Sequence, residues 1–174
     1  MKKISLLIIL LAGVLLTAGC TEENAENPAG PPEIPEGSVV EVNELGQINE
    51  ALAEGPVFLK LGAEWCSPCR AMKPILAEMA VTYEGRATVM SADIDKSPQL
   101  AAYFKVGYIP DSCVIVGFED GKYRYMQEDG NVTEDRYRAR MIGLHDKETY
   151  EERLDLALQQ VEKDKAEQKN ETAE

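Results

Sequence analysis

The chain has 174 residues and a formal net charge of −13 at pH 7, and 44% of its residues are hydrophobic. This length accommodates one domain of ordinary size, about 100–150 residues, together with tails. The hydrophobic content suffices for a packed core, whereas the acidity argues against a nucleic-acid partner, which requires clustered Lys and Arg. We therefore expect one globular domain that binds no nucleic acid.

The first twenty residues have the order of an export signal. Two lysines are followed by the almost entirely apolar residues 4–16 and by small residues before Cys20. This ending resembles the lipobox of lipoprotein signal peptides, although Thr17 stands where most lipoboxes carry leucine. We predict a signal peptide over residues 1–19 and lipidation of Cys20. An uncleaved anchor is the alternative, but the apolar run is shorter than the about 20 residues of a membrane span.

The segment after Cys20 is acidic, rich in proline and without apolar periodicity. It cannot bury enough surface to order itself, and its prolines favour an extended chain. We predict that residues 20–37 form a lipidated N-terminus and a disordered tether. The domain would then lie on the extracytoplasmic face of the cell membrane.

Strands and helices are predicted to alternate at the start of the domain, which we place at residues 38–162. Apolar residues at helical spacing, Leu45, Ile48 and Leu52, follow a short strand-like segment, and Pro74 predicts a kink in the second helix. Ser97 is expected to cap the third helix, with Pro98 in its first turn. Strands are expected over residues 39–42, 57–62 and 88–94, and helices over residues 44–54, 66–83 and 97–104.

The second half of the domain is predicted to be a meander that ends in a helix. Asp146 is expected to cap this last helix, and residues 163–174 are expected to form a polar tail. Strands interleaved with helices and followed by a meander indicate an α/β fold with a mixed sheet and helices on both faces. The strands of the meander are expected over residues 113–118, 123–127 and 136–142.

Cys66-Ser67-Pro68-Cys69 is a C-x-x-C motif at the expected junction of a strand and a helix. A helix N-terminus presents unpaired amide N–H groups and the positive end of the helix dipole, and both stabilise an anion. A thiol at this position is acidified, and its thiolate is the nucleophile that attacks a disulfide. The second cysteine lies about one helical turn away, close enough to displace the first. We therefore expect thiol–disulfide chemistry.

Two other roles of this motif remain open at this point. A zinc site needs about four nitrogen or sulfur ligands, and outside the motif the sequence offers Cys20, Cys113 and the single His145. The other alternative is an inert structural disulfide between the two cysteines of the motif.

Several segments together resemble the thioredoxin family. Residues 63–69 read AEWCSPC and match its active-site motif, with Ser67 where glycine is commonest. Pro74 corresponds to the family's helix-kinking proline, and residues 106–110 correspond to the segment that carries a cis-proline. The resemblance covers about residues 39–161 and implies a thioredoxin fold, a mixed central sheet flanked by helices.

The resemblance also implies a role for each matching residue. Cys66 would be the exposed nucleophile and Cys69 the buried resolving cysteine, and the two would form a redox-active disulfide. Pro110 would be cis, and Trp65 would lie beside the dithiol. The implied substrate-binding residues are Trp65, Ser67, Pro68 and Ile109, and neither a metal nor a cofactor is implied.

One departure from the family bears on the chemistry. Lys60 stands where the family carries a buried aspartate that accepts the proton of the resolving thiol, and Ser91 replaces the lysine that pairs with it. A cation there would favour the thiolate and make the oxidised form a stronger oxidant. A neutral, desolvated Lys60 could itself accept the proton, whereas one extended to solvent would have no role. Glu64 is a substitute base or a solvated rim residue.

Other chemically capable side chains have simpler interpretations. Cys113 lies in an apolar strand and is expected to be a small buried hydrophobe, with a regulatory disulfide as the alternative. His145 is expected to be a capping or surface residue. Tyr123, Tyr125 and Tyr137 are expected to pack across strands, or else to form an exposed partner-binding face.

We therefore expect an extracytoplasmic protein-disulfide reductase that works through a mixed disulfide. Its partners would be disulfide-bearing exported proteins, a membrane electron donor or acceptor, and the membrane itself through the lipid on Cys20. The alternatives are a disulfide oxidase or isomerase, for which Lys60 is the supporting feature, and a non-catalytic lipoprotein that uses the fold for binding. We expect a monomer.

Overall fold

The computed structural model describes residues 38–171. The predicted signal peptide, the lipidation site at Cys20 and the tether lie outside these residues. Within the described range, no helix is both long and apolar enough to cross a membrane.

Strands and helices alternate in the first half of the domain. Their ends differ from the predicted ends by one residue at most. Ser97 is the N-cap residue of the third helix and Pro98 lies in its first turn, as predicted, although the Ser97 side chain makes no capping hydrogen bond. The elements are β1 (Val40–Glu41), α1 (Leu45–Glu54), β2 (Val57–Gly62), α2 (Ser67–Thr82), β3 (Thr88–Asp93) and α3 (Pro98–Tyr103).

The second half differs from the prediction most between residues 136 and 142; in addition, β4 begins two residues earlier than predicted and the short strand β6 was not predicted. The strand predicted over residues 136–142 is wrong: a short helix and a two-residue strand occupy this segment. The side chain of Asp135 accepts a hydrogen bond from the backbone N–H of Tyr137 and so starts a helical turn. The elements are β4 (Asp111–Glu119), β5 (Lys122–Met126), β6 (Val132–Thr133), α4 (Arg136–Ala139), β7 (Met141–Ile142) and α5 (Lys147–Glu171).

The last helix starts as predicted and continues further than expected. Oδ1 of Asp146 accepts a hydrogen bond of 2.9 Å from the backbone N–H of Thr149, which confirms the predicted cap. Helix α5 then runs to Glu171, so most of the segment expected to be a loose polar tail is helical.

The seven strands of the described residues form one mixed sheet. Its order is β1-β3-β2-β4-β5-β6, and β7 pairs with β4. β1 and β2 are parallel to β3, whereas β4 is antiparallel to β2 and starts the meander. This arrangement confirms the predicted α/β fold.

Helices cover both faces of this sheet. Buried residues of α1, α3 and α4 pack on one face, together with Leu59 and Leu61 of β2. Buried residues of α2 and α5 pack on the other face, together with Phe58. Because side chains alternate along a strand, Lys60 of β2 lies on the same face as Phe58, beneath α2.

Candidate active site

The C-x-x-C motif and the predicted cis-proline lie at the same end of the sheet. Leu61, near the end of β2, pairs with Asp111 at the start of β4. The loop that follows β2 leads to Cys66, and the Ile109-Pro110 segment immediately precedes β4. The Ile109-Pro110 peptide bond is cis, as the resemblance implied. The sheet register therefore brings together two segments that are about 40 residues apart in sequence.

Cys66 and Cys69 form a disulfide at the start of α2, with their Cα atoms 5.2 Å apart. Cys66 is the N-cap residue of this helix, and its Sγ accepts a hydrogen bond of 3.2 Å from the backbone N–H of Cys69. Both residues are buried: Cys66 is 5% exposed and Cys69 is 1% exposed. Cys66 is thus the more accessible of the two, but it is not exposed as we expected.

The residues around the disulfide form an exposed, partly aromatic rim. Trp65 is 67% exposed, and its Nε1 donates a hydrogen bond of 2.7 Å to Oδ2 of Asp95. Tyr108, just before the cis peptide bond, is 72% exposed. Ser67 and Pro68 are also exposed. Asp95 was not predicted as a site residue, since its contact with Trp65 depends on the fold.

Lys60 is buried behind the disulfide and does not extend to solvent. It is 5% exposed, and its Nζ donates a hydrogen bond of 3.5 Å to Oγ of Ser91. Burial lowers the pKa of Lys60, and the negative charge of Glu41 opposes this shift in part. The two positions at which this chain departs from the family therefore contact each other.

Gly62 separates Lys60 from Cys69. A Cβ atom on Gly62 would lie 2.7 Å from Nζ of Lys60 and 2.8 Å from Sγ of Cys69. Two atoms that lie this close to one point are at most 5.5 Å apart, which is the sum of the two distances. Because glycine has no side chain, the amine and the sulfur can approach this point from both sides and lie within 5.5 Å of each other.

Glu64 lies at the rim of the site rather than behind the disulfide. Its carboxylate is exposed and forms an ion pair with Lys73, with Nζ 2.9 Å from Oε2. The hydrogen bond from Lys73 lowers the pKa of Glu64. An exposed carboxylate that is held ionised by a lysine is a poor substitute for a buried base.

A buried ion pair anchors the start of β4. Arg136 of α4 donates hydrogen bonds of 2.7 Å and 3.0 Å to the two carboxylate oxygens of Asp111. It also donates a hydrogen bond of 2.9 Å to the carbonyl oxygen of Phe104. This pair was not predicted, although a charged residue just before the apolar strand predicted at residue 113 was a signal that a partner must exist.

The other residues singled out in the sequence are Cys113, three tyrosines and His145. Cys113 is a free cysteine that is completely buried, and burial raises the pKa of its thiol. Tyr123 and Tyr125 belong to the core, whereas Tyr137 lies in α4 and is 52% exposed. The backbone N–H of His145 donates a hydrogen bond of 2.8 Å to the Tyr150 hydroxyl.

Comparison with known proteins identifies the family. A family model described as Thioredoxin matches residues 39–141. This chain belongs to the thioredoxin family. Thioredoxins of Staphylococcus haemolyticus (strain JCSC1435) and Staphylococcus aureus (strain Mu50 / ATCC 700699) are 33% and 32% identical to it over 85 residues, which are 49% of this chain and 78% of each relative.

A solved structure supports the same fold. A mutant thioredoxin from Halobacterium salinarum NRC-1 superposes with a TM-score of 0.52 over 68% of this chain and 89% of that one, at 19% sequence identity. The thioredoxin fold predicted from the sequence is thus confirmed. As a family member with its C-x-x-C pair in place, the protein is a thiol–disulfide oxidoreductase with a redox-active Cys66–Cys69 pair.

Proposed function

We propose that this protein is an extracytoplasmic, lipid-anchored protein-disulfide reductase. In the proposed reaction Cys66 attacks a disulfide of an exported protein and forms a mixed disulfide, which Cys69 then resolves. Trp65, Ser67, Pro68 and the Ile109-Pro110 segment would contact the substrate. A membrane electron donor would reduce the Cys66–Cys69 disulfide again.

The observation that carries this proposal is the position of the Cys66 sulfur. It caps the N-terminus of a 16-residue helix and accepts the N–H of Cys69. A thiolate formed there would keep this hydrogen bond and the favourable helix dipole. Cys69 lies behind it and is less accessible, so a substrate would meet Cys66 first.

Reduction of insulin by dithiothreitol tests the catalysis. The protein should accelerate the reaction, and Cys66→Ser should abolish the acceleration, because the sulfur that caps the helix is lost and the remaining sulfur of Cys69 is almost completely buried. Cys113→Ala is the matched control, since it also removes a sulfur and Cys113 packs in the core on the sheet face opposite α2. A protein no faster than its Cys66→Ser variant would instead support the non-catalytic binding lipoprotein.

A substrate trap tests the proposed clients. Without the resolving thiol, Cys69→Ser should accumulate mixed disulfides between Cys66 and exported proteins. The double variant Cys66→Ser, Cys69→Ser should capture none. Captured proteins that all lack export signals would contradict the proposed location.

The location rests on the order of charged, apolar and small residues before Cys20. Labelling the expressing cells with a radioactive fatty acid should mark the wild-type protein, and Cys20→Ala should remove the label. An unlabelled wild-type protein would contradict the lipid anchor.

One observation favours a second candidate, a disulfide oxidase or isomerase. Lys60 is buried next to Cys69, and in its charged form it would stabilise a thiolate and so the reduced protein. A redox titration separates the two directions. A potential near about −270 mV supports a reductase, and one near about −120 mV supports an oxidase.

A further inference from the structure

We infer that Lys60 is the proton acceptor for the Cys69 thiol when the mixed disulfide is resolved. The inference concerns the chemistry of the same site and rests on the thiol–disulfide exchange that we propose. It assigns to an amine the task of making the buried second sulfur nucleophilic.

Lys60 lies close enough to Cys69 to take its proton. Cys69 is 1% exposed, so bulk water has little access to its thiol. Nζ of Lys60 lies within 5.5 Å of its sulfur, as the distances of 2.7 Å and 2.8 Å from a Cβ on Gly62 require. A base must be within hydrogen-bond reach of the proton, directly or through one water molecule, and this separation satisfies that condition.

The protonation state of the Lys60 amine also fits this role. A lysine with an ordinary pKa near 10.5 is charged at neutral pH and has no free lone pair. Burial of Lys60 lowers its pKa and increases the neutral fraction. After the proton transfer, the ammonium and the Cys69 thiolate would stabilise each other at close range.

The residues opposite Lys60 on the neighbouring strands are uncharged. In the pairing of β2 with β4, Lys60 lies opposite the uncharged Ser112. Its hydrogen-bond partner on β3 is the uncharged hydroxyl of Ser91. None of the ion pairs found among the described residues includes Lys60. Its charged neighbours are Glu41 of β1, Glu64 of the loop before α2, Lys73 of α2 and Asp93 of β3.

A path for the proton adjoins Lys60. A cavity of about 190 Å³ is lined by Lys60, Gly62 and Ser91, and also by the exposed side chains of Glu41 and Glu64. Although Val39 and Leu76 also line it, the cavity is large enough for water molecules, and its amine, hydroxyl and carboxylate groups can hydrogen-bond to them. The proton taken up by Lys60 can therefore leave through this cavity to solvent.

The resolution step balances in atoms and electrons. The neutral amine of Lys60 takes the proton of the Cys69 thiol. The Cys69 thiolate attacks Sγ of Cys66, the bond between Cys66 and the substrate sulfur breaks, and the Cys66–Cys69 bond forms. The substrate sulfur leaves with the electron pair and takes a proton from solvent, while Lys60 returns its proton through the cavity. The dithiol is oxidised and the substrate is reduced.

The reaction of the reduced protein with dithiobis-nitrobenzoate tests this inference. Cys66 releases the first coloured thiolate and Cys69 releases the second, so a stopped-flow trace separates the two steps. Lys60→Met removes the base and the charge, whereas Lys60→Arg keeps a charge that does not deprotonate. At neutral pH both variants should slow the second phase by about 100-fold and leave the first nearly unchanged, and the difference should vanish at high pH, where hydroxide deprotonates Cys69.

Three outcomes would overturn the inference: an unchanged second phase in Lys60→Met, a wild-type second phase in Lys60→Arg, or an equal slowing of both phases. If neither variant folds, the wild-type protein still decides. The pH midpoint of its second phase should equal the pKa of Lys60 measured by NMR, and a mismatch would refute the role. Failure of the first phase in the wild type would refute the proposed function instead.

Discussion

Two buried cations lie on opposite faces of the same sheet, and their environments differ. Arg136 has a carboxylate partner, Asp111, at 2.7 Å. Among the residues that the structure describes, Lys60 has one hydrogen-bond partner, a hydroxyl at 3.5 Å, and a sulfur nearby. Both sites lie near the same point of the sheet. In the pairing of β2 with β4, Lys60 is opposite Ser112 and the next residue, Leu61, is opposite Asp111. A paired buried charge holds a structure together, whereas an unpaired one is free to exchange a proton.

The largest loss of stability should come from breaking the ion pair between Arg136 and Asp111. Arg136→Met leaves Asp111 as an uncompensated buried carboxylate, and we expect the free energy of unfolding to fall by about 3–5 kcal/mol. Urea unfolding measures it. Arg138→Met, an exposed position on the same short helix, is the matched control and should change stability by less than about 0.5 kcal/mol. Equal losses in both variants would mean that the ion pair has no special role.

A smaller loss should follow from filling the space between Lys60 and Cys69. In Gly62→Ala the new methyl group would collide with Nζ of Lys60 and Sγ of Cys69. We expect a loss of about 1–3 kcal/mol in urea unfolding and a slower second phase with dithiobis-nitrobenzoate. Gly46→Ala is the control, because a Cβ there meets nothing within 4 Å. A Gly62→Ala variant as stable and as fast as wild type would show that the two groups are not in close contact.

Removal of the unpaired cation, Lys60, should raise the free energy of unfolding rather than lower it. The pKa of Lys60 is lowered in the folded protein, so folding is disfavoured wherever the unfolded chain keeps that proton more readily. The penalty is complete below the folded pKa and disappears above the ordinary value of 10.5. Lys60→Met should therefore be more stable than wild type at neutral pH, and the gain should shrink as the pH rises towards 10.5. Urea unfolding as a function of pH measures this, and a gain that does not vary with pH would contradict the lowered pKa.

The smallest structural change should give Lys60 a carboxylate partner like the one that Arg136 has. Ser91→Asp places a carboxylate beside Lys60, which should raise the pKa of Lys60 and keep the amine protonated. We expect its second phase to slow and to shift to higher pH, while Ser91→Ala removes only the hydroxyl and keeps a profile close to wild type. If the two variants behave alike, charge pairing does not control the reactivity of Lys60.

The sequence predicted most of the fold because local patterns and family motifs agreed. The elements from β1 to α3 and the cis-proline could be predicted, since each leaves a local mark such as apolar spacing or the motif before Pro110. The short helix at Arg136 was missed although Asp135 is a local capping signal, whereas the burial of Arg136 depends on a partner, Asp111, that is 25 residues away. The contact between Trp65 and Asp95 likewise joins two loops that only the folded chain brings together.

The most direct test of the central claim is the reactivity of Cys66 in the reduced protein. In Cys69→Ser, the rate of Cys66 alkylation by iodoacetamide should be followed against pH by mass spectrometry. We predict a midpoint well below about 8.5, the ordinary pKa of a thiol, because the amide groups and dipole of helix α2 stabilise the thiolate. A midpoint equal to that of the same protein unfolded in denaturant would contradict this account.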